Sequence, residues 1–429
     1  MIGGPDFLHS TEYILLDKCL NILECKVGHQ MVLSLHQTCE CCTSKGVQFC
    51  CNHTWIIMLY RLQSCLKYFA LLGIVPWTET CGPCQYFQKI YSIFLMSINL
   101  VIFGMEIHIP QKDSLLLPLL VSAIVFIAKV LCMTVILLQM MCQYEGYYGL
   151  CKEFQRVRER LEVQLKMGAL SYPRRRYIKI MFLGMASLGT IASLVYTSFI
   201  ASLMYFWSSC VALIIIRLQC VLLLFYVDLM GFHVELLGKR IRDVLHCHSL
   251  GGNCVPDGNC KQLRSLEFLL ELKQSHMEVF DLFSHFNDLF GWSILSIFVV
   301  MFMDGTVNIY WTQQVLAGVY GLVYLNATFS FSAPSLALIF AFCRCGEYCK
   351  RQQMLIGSYV RGLAYGTPSL QQSKEPAYTE LLTEFTLQVE HNVLAINAEG
   401  FMVIDNSLLM SMFAAMVTYL IVLMQFSAS

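Results

Sequence analysis

Three polar residues stand seven apart near the end of the chain: Ser411, Thr418 and Gln425. Seven residues are nearly two helical turns, so on one helix they form a single polar stripe flanked by Ala414, Ala415, Ile421 and Val422. Polar groups in an otherwise apolar helix face a neighbouring helix or a water-filled path. Ser and Thr serve either role. A glutamine amide, with two donors and an acceptor, shifts the balance towards a water-filled path. One helix cannot enclose a path, but several around a symmetry axis can. Other reactive groups lead elsewhere. Cys81-Gly-Pro-Cys84 has the spacing of a redox pair, but that chemistry needs a strand-to-helix setting that is not predicted here. Cys39, Cys41, Cys42, Cys50, Cys51 and His53 could hold zinc, but their spacing is irregular. No phosphate loop, nucleophile triad or HExxH stands in the sequence. The expectation is therefore no enzyme, no metal and no cofactor.

The elements that position the stripe follow from composition. Of 429 residues, 57% are hydrophobic and only 14% charged. Soluble domains carry about 25% charged residues, so this chain reads as an all-α membrane protein that crosses the bilayer several times. Lys+Arg and Asp+Glu both number 29, which gives a nucleic-acid partner no support. A crossing helix needs about 20 mostly apolar residues, and seven stretches qualify: 87–105, 115–142, 178–203, 205–232, 287–309, 317–343 and 403–426. Lys129 interrupts the second, and Arg217 and Asp228 the fourth. The stretch from Trp55 to Ile74 carries Arg61, Gln63 and Lys67 and reads as an amphipathic segment at the interface.

Basic residues set the orientation, because Lys and Arg favour the cytoplasmic side. Of the basic residues outside the spans or at their edges (Lys89 and Lys179), 26 fall on one side and one, Lys112, on the other. The N-terminus is then cytosolic and the C-terminus extracellular. No cleavable signal peptide is visible at the start. This topology is the reverse of a G-protein-coupled receptor. A transporter would show inverted repeats with broken helices, and no internal symmetry is evident. The expected organisation is a Cys-rich cytosolic extension (1–59), a segment ahead of the first span (60–86), spans one to four (87–232) and a cytosolic part (233–286). Spans five and six (287–343), a second cytosolic part (344–402) and the last span with its tail (403–429) complete it. The sequons at Asn52 and Asn326 fall in the cytosol and within the sixth span, so neither should carry glycan.

Thr418-Tyr419, five apolar residues and Gln425-Phe426 resemble the TYxxxxxQF signature of insect gustatory receptors. HNVLAINAEGFMVIDNSLLMSMFAAMVTYLIVLMQF (391–426) is similar to that family's last helix and its approach. SHMEVFDLFSHFNDLFGWSILSIFV (275–299) is similar to its helix 5 entry, and YRLQSCLKYFALLGIVP (60–76) to its motif ahead of helix 1. Residues 1–59 depart from the family pattern.

The resemblance implies a tastant-gated, non-selective cation channel in the plasma membrane of a sensory neuron. It would be a homotetramer or a heteromer with related receptors, with the last helix of each of four subunits lining the pore. It also implies a gate at Gln425 and Phe426. There Phe426 and Val422 are candidates to close the path by dewetting and Gln425 to replace ion hydration. Repeated fourfold, Glu390, Glu399 and Asp405 would make a negative inner vestibule, or else a solvated interfacial face. Tyr419 is expected to pack against the fifth span or a neighbouring subunit.

Residues 233–286 and 379–396 resemble the family's cytosolic anchor, where subunits meet; His276, Phe280, Phe283, Leu387 and Val389 are the candidates there. The family's ligand pocket lies in the outer half of helices 2 to 6. In this chain that region offers Tyr196, Phe199, Trp207, Asp304, Asn308, Tyr310, Trp311, Tyr320 and Tyr324. Such aromatics also serve as interfacial anchors. A sugar needs many donors and acceptors, whereas this set suits a less polar, bitter-type compound. Asp304 could meet a cationic nitrogen.

Overall fold

The computed structural model describes residues 69, 72–75, 82–107, 116–167, 172–200, 206–249, 263, 265–365 and 376–428. The cysteines and histidine at 39–53, most of the Trp55–Ile74 segment, Lys112 and most of the loops 249–262 and 365–376 lie outside them. The elements in order are α1 (Gly82–Ile107), α2 (Leu116–Cys142), α3 (Tyr144–Glu159), a π-helical turn (Arg160–Gln164), α4 (Arg174–Ile200) and α5 (Phe206–Ser249). Then come α6 (Leu266–Leu316), α7 (Val323–Tyr365), α8 (Pro376–His391), strands β1 (Asn397–Ala398) and β2 (Met402–Val403), and α9 (Asn406–Ala428).

Six of these helices (α2, α4, α5, α6, α7 and α9) contain stretches long and apolar enough to cross a bilayer, and α1 holds a shorter apolar stretch, Lys89–Ile102. Burial ranks them. α5 is apolar on nearly every face and is covered on nearly every face, so it is the axis of the bundle. α9 is the least covered. α7 packs on α5, α6 and α4, while α2 packs on α6 and α5. α9 lies along α6 and, less extensively, α7.

Two boundaries differ from the expected spans. The sixth starts later than 317, because α6 runs on to Leu316 and residues 317–322 make the turn before α7. The seventh starts later than 403, because residues 397–403 form a β-hairpin and Asp405 caps the helix. Apolar content alone does not separate a short buried hairpin from the first turn of a helix. α3 and the π turn lie in a stretch that carried no predicted element. Their apolar side is narrow (Tyr147, Leu150, Phe154, Val157 and Leu161 are buried), and polar residues dominate the rest. Arg160 ties this arm to α6 through Glu271 at 3.1 Å and Glu278 at 2.8 Å.

The cytosol-assigned ends of α6 and α7 extend well past the bilayer-length windows and receive α8. His276 of α6 lies fully buried between Gln353 of α7 at 3.4 Å and Gln388 of α8 at 3.2 Å, with the Phe385 ring 5.9 Å away. Gln353 also donates to the Val389 carbonyl at 2.8 Å. His276, Phe283 and Val389 are therefore interior residues of one subunit, not contacts between subunits. The reason is that α6 and α8 pack on each other, with His276 meeting Gln388 and Phe385 across the contact. Leu387 stays half exposed.

Candidate functional site

The base of α9 is built by three neighbours. Glu399 and Gly400 have φ of +52° and +73°, and the Phe401 N–H bonds the Ala398 carbonyl at 3.0 Å, which makes a tight type I′ turn between β1 and β2. A glutamate with positive φ is unfavourable by itself, so the surroundings must hold it. Asn287 of α6 does part of this. Its amide donates to the Ala395 carbonyl and its oxygen accepts from the Asn397 N–H, both at 3.0 Å. The Glu399 side chain lies over Gly291 of α6, where a Cβ would stand 2.6 Å from its Oε1. α7 closes the third side. A Cβ on Gly346 would fall 2.0 Å from the Ile404 carbonyl oxygen, so only glycine lets the two backbones approach this closely.

Asp405 follows. Its Oδ1 accepts from the Leu408 N–H at 3.0 Å, the N-cap bond, and its Oδ2 meets Lys350 at 2.8 Å. Burial pushes this carboxyl up. Lys350 and the backbone N–H groups of Leu408 and Ser407 outweigh it and hold the carboxyl below its ordinary value. Glu390 pairs with Arg361 at 3.3 Å, with both side chains half exposed. Of the three acids assigned to the vestibule, Asp405 is thus a helix cap with a lysine partner, Glu399 a turn residue, and Glu390 a surface ion pair.

Above this base, Leu409 and Met416 are the buried residues of α9 among its described side chains. They lie roughly 150° around the helix from the polar stripe. Ser411, Ala414, Thr418, Val422 and Gln425 are exposed on the isolated subunit, and Ala415 is half-buried. The Ser411 and Thr418 hydroxyls bond the carbonyls of Ser407 and Ala414 one turn below, each at 3.0 Å. Among the described residues, neither hydroxyl holds another helix of the same subunit. Phe426 continues α9. The Tyr419 ring stands edge-on to Phe302 of α6, with centroids 5.9 Å apart.

The expected ligand residues divide into three groups. Tyr196, Phe199 and Trp207 lie on the outer surface of α4 and α5, with Phe199 and Trp207 in edge contact at 5.4 Å. Tyr310, Trp311, Tyr320 and Tyr324 form a continuous ladder across the turn between α6 and α7, each ring 5.1 to 5.9 Å from the next. Asp304 and Asn308 are buried deeper. The Asn308 amide donates to the Asp304 carbonyl at 2.7 Å within its own helix. The Asp304 carboxylate is 2.7 Å from Lys129 of α2. It therefore already has a cationic partner, which removes the argument for a ligand nitrogen there. A buried lysine and a buried aspartate find each other because an unpaired charge at that depth is far more costly.

Arg217 of α5 lies beside this pair and is almost fully buried. It donates to the Ser187 carbonyl and to Thr190 Oγ1 of α4, both at 2.7 Å, and to the Ser330 carbonyl of α7 at 3.0 Å. Pro334 explains the last bond. A proline inside a helix cannot donate to the carbonyl four residues back, here that of Ser330, and Arg217 supplies the missing donor. In the sequence Arg217 stands out only as an intramembrane charge. Its pairing with Pro334 follows from no local spacing, because the two lie on different helices more than a hundred positions apart.

One turn of α6 joins the two regions. Asp304 faces the buried charges, while its neighbour Gly305 packs on Met416 of α9 at 3.2 Å from a Cβ position, and Phe302 meets Tyr419.

Comparison with known proteins agrees with this architecture. A family profile described as "7tm Chemosensory receptor" matches residues 62–429. The Drosophila melanogaster protein named "Putative gustatory receptor 39b" is 55% identical over 371 residues, covering 86% of this chain and all of the relative. Gustatory receptor 23a of the same fly is 32% identical over 160 residues, 36% of this chain and 40% of that one. Among solved structures, the insect olfactory receptor OR5 from Machilis hrabei in complex with eugenol shares the fold at a TM-score of 0.51. That match has 13% identity and covers 86% of this chain and 99% of the other. The helical bundle, the extent of the profile match and the full-length relative establish that this chain belongs to the 7tm chemosensory receptor family.

Proposed function

We propose that the protein is a gustatory receptor that works as a tastant-gated, non-selective cation channel in the plasma membrane of a sensory neuron. In this reading α1, α2, α4, α5, α6, α7 and α9 are the seven spans, with the N-terminus cytosolic and the C-terminus outside. Four subunits, of this chain alone or mixed with related receptors, bring their α9 helices around one axis. The observation that carries the reading is the face of α9. Its apolar side is used on α6, and the side bearing Ser411, Thr418 and Gln425 is left uncovered. A polar stripe on a helix of this hydropathy does not suit lipid, and a shared water-filled path suits it.

The mechanism follows from the turn of α6 around residues 302–305. A ligand that repositions Asp304 or the aromatic ladder moves the surface on which Met416 and Tyr419 rest, and α9 turns or tilts in response. The uncovered hydroxyls are satisfied within their own helix, so this motion breaks no side-chain hydrogen bond at Ser411 or Thr418. The aromatic character of the ladder favours a less polar, bitter-type ligand over a sugar. A sugar-gated receptor of the same family is the second reading.

The test is whole-cell current from cells expressing this chain, under sugars and bitter compounds, for wild type and Gln425→Ala. Ligand-evoked cation current with altered permeability or rectification in the variant is the expected result. Current with properties unchanged by the variant would remove Gln425 from the path. An externally accessible N-terminal tag on intact cells would overturn the orientation and revive a G-protein-coupled reading.

A further inference from the structure

The buried charges of the bundle do not balance. Lys129, Asp304 and Arg217 are 5%, 3% and 1% exposed. Lys129 and Asp304 neutralise each other at 2.7 Å. Arg217 lies in the field of Asp304, yet among the described residues no carboxylate stands within ion-pair distance of it. Its partners are carbonyls and a hydroxyl, which accept its hydrogen bonds without cancelling its charge. Its Nε has no acceptor, and the neighbouring Ser187 Oγ, also buried, has no partner. Phe331 touches both cations through different parts: Lys129 Nζ sits 4.6 Å from its ring centroid, and its backbone carbonyl is 3.5 Å from Arg217.

We propose that this centre is an anion-accepting subsite, and that it takes the carboxylate of a small aromatic ligand. The inference rests on the receptor reading above and narrows its ligand class. Two cations against one carboxylate leave one positive charge in a low-dielectric interior, where an unpaired charge is costly and an incoming anion is correspondingly favoured. The free Nε–H and the Ser187 hydroxyl are donors for such a group. The half-buried Phe331 ring beside Lys129 is the aromatic group that the ligand's own ring would meet. A protonated amine would meet the same surplus as repulsion. An inorganic anion could satisfy the charge without using the aromatic face, so the test separates the two.

The full chain in lipid nanodiscs is melted at constant ionic strength with sodium benzoate, sodium formate, sodium chloride or sodium gluconate, and with benzylammonium gluconate. Benzoate is expected to raise the Tm in a saturable manner and more strongly than formate or chloride, with no rise from benzylammonium. Lys129→Gln should weaken benzoate at least about tenfold and Asp304→Asn should tighten it, since each changes the surplus by one unit charge. The double variant K129Q/D304N, which removes a neutral pair, should bind nearly as wild type. These variants keep the test independent of Arg217, whose loss could unfold the bundle. Equal effects of all anions, or saturable stabilisation by benzylammonium, would overturn the inference. So would benzoate stabilisation indifferent to both single variants. Because the readout is binding, a bitter-evoked current without benzoate stabilisation sinks the subsite alone. Benzoate stabilisation in a chain that passes no current under any ligand sinks the channel reading and leaves the anion site standing.

Discussion

Single residues here do work that their types alone do not announce. Arg217 fills the gap that Pro334 leaves in α7. Pro334→Ala restores an N–H that can reach the Ser330 carbonyl, so the damage from Arg217→Gln should be smaller in a Pro334→Ala background. A double-mutant cycle of melting temperatures measures the coupling, and strict additivity would refute it. Gly346→Ala forces a methyl onto the Ile404 carbonyl and should lower stability by about 2 kcal/mol or more, read as a lower Tm and less receptor at the surface. Asp405 titrates with a definite sign. Its carboxyl is held below the ordinary value in the folded chain, so its contribution is complete above roughly pH 4 and is lost as the pH falls further. Asp405→Asn keeps an N-cap acceptor and should flatten that acid limb of the stability profile. A profile identical to wild type would deny Asp405 the role.

At the scale of elements, the hairpin and its clamp decide where α9 begins. Asn287 satisfies one N–H and one carbonyl of the strand that leads into the hairpin. Removing both partners with Asn287→Ala should cost about 1–3 kcal/mol and shift ligand sensitivity while leaving single-channel conductance unchanged. A changed conductance would place Asn287 in the ion path. This region also marks the reach of sequence patterns. The heptad spacing of Ser411, Thr418 and Gln425 is a property of one helix, so it is legible from the order of residues alone. The same holds for the apolar windows that form α2, α4, α5 and α6. What escapes is non-local or two-sided. Glu399 and Asp405 resemble vestibule acids because a charge near a membrane helix has no sequence mark that separates a cap or a turn from a solvated ring. His276, Phe283 and Val389 resemble contacts between subunits because α6 and α8, which pack on each other within one subunit, lie about 100 residues apart in sequence. Asp304 looks free in the sequence because Lys129 is on another helix.

The whole molecule divides into a firmly knit part and a lightly held one. α5 is enclosed, and Arg217 laces it to α4 and α7. α9 rests on its neighbours mainly through Leu409, Met416 and Tyr419. If the exposed face of α9 is where subunits converge, a cysteine at Ala414 should be linked by an added thiol oxidant into disulfide-bonded dimers in membranes, while one at Met416 should stay monomeric. The reverse pattern on non-reducing gels would turn the helix around. The turn of α6 at 302–305 has a last implication, and it concerns descent rather than motion. Asp304, which meets Lys129, and Phe302 and Gly305, which meet α9, are almost consecutive codons. A lineage that changes its diet can alter the aromatic ladder at 310–324 without touching these contacts. On the proposed channel reading, a change at 302–305 should be felt at once by taste and by conduction. Selection for a new flavour should therefore leave its record in the ladder, and the turn should be the slow clock of the gene.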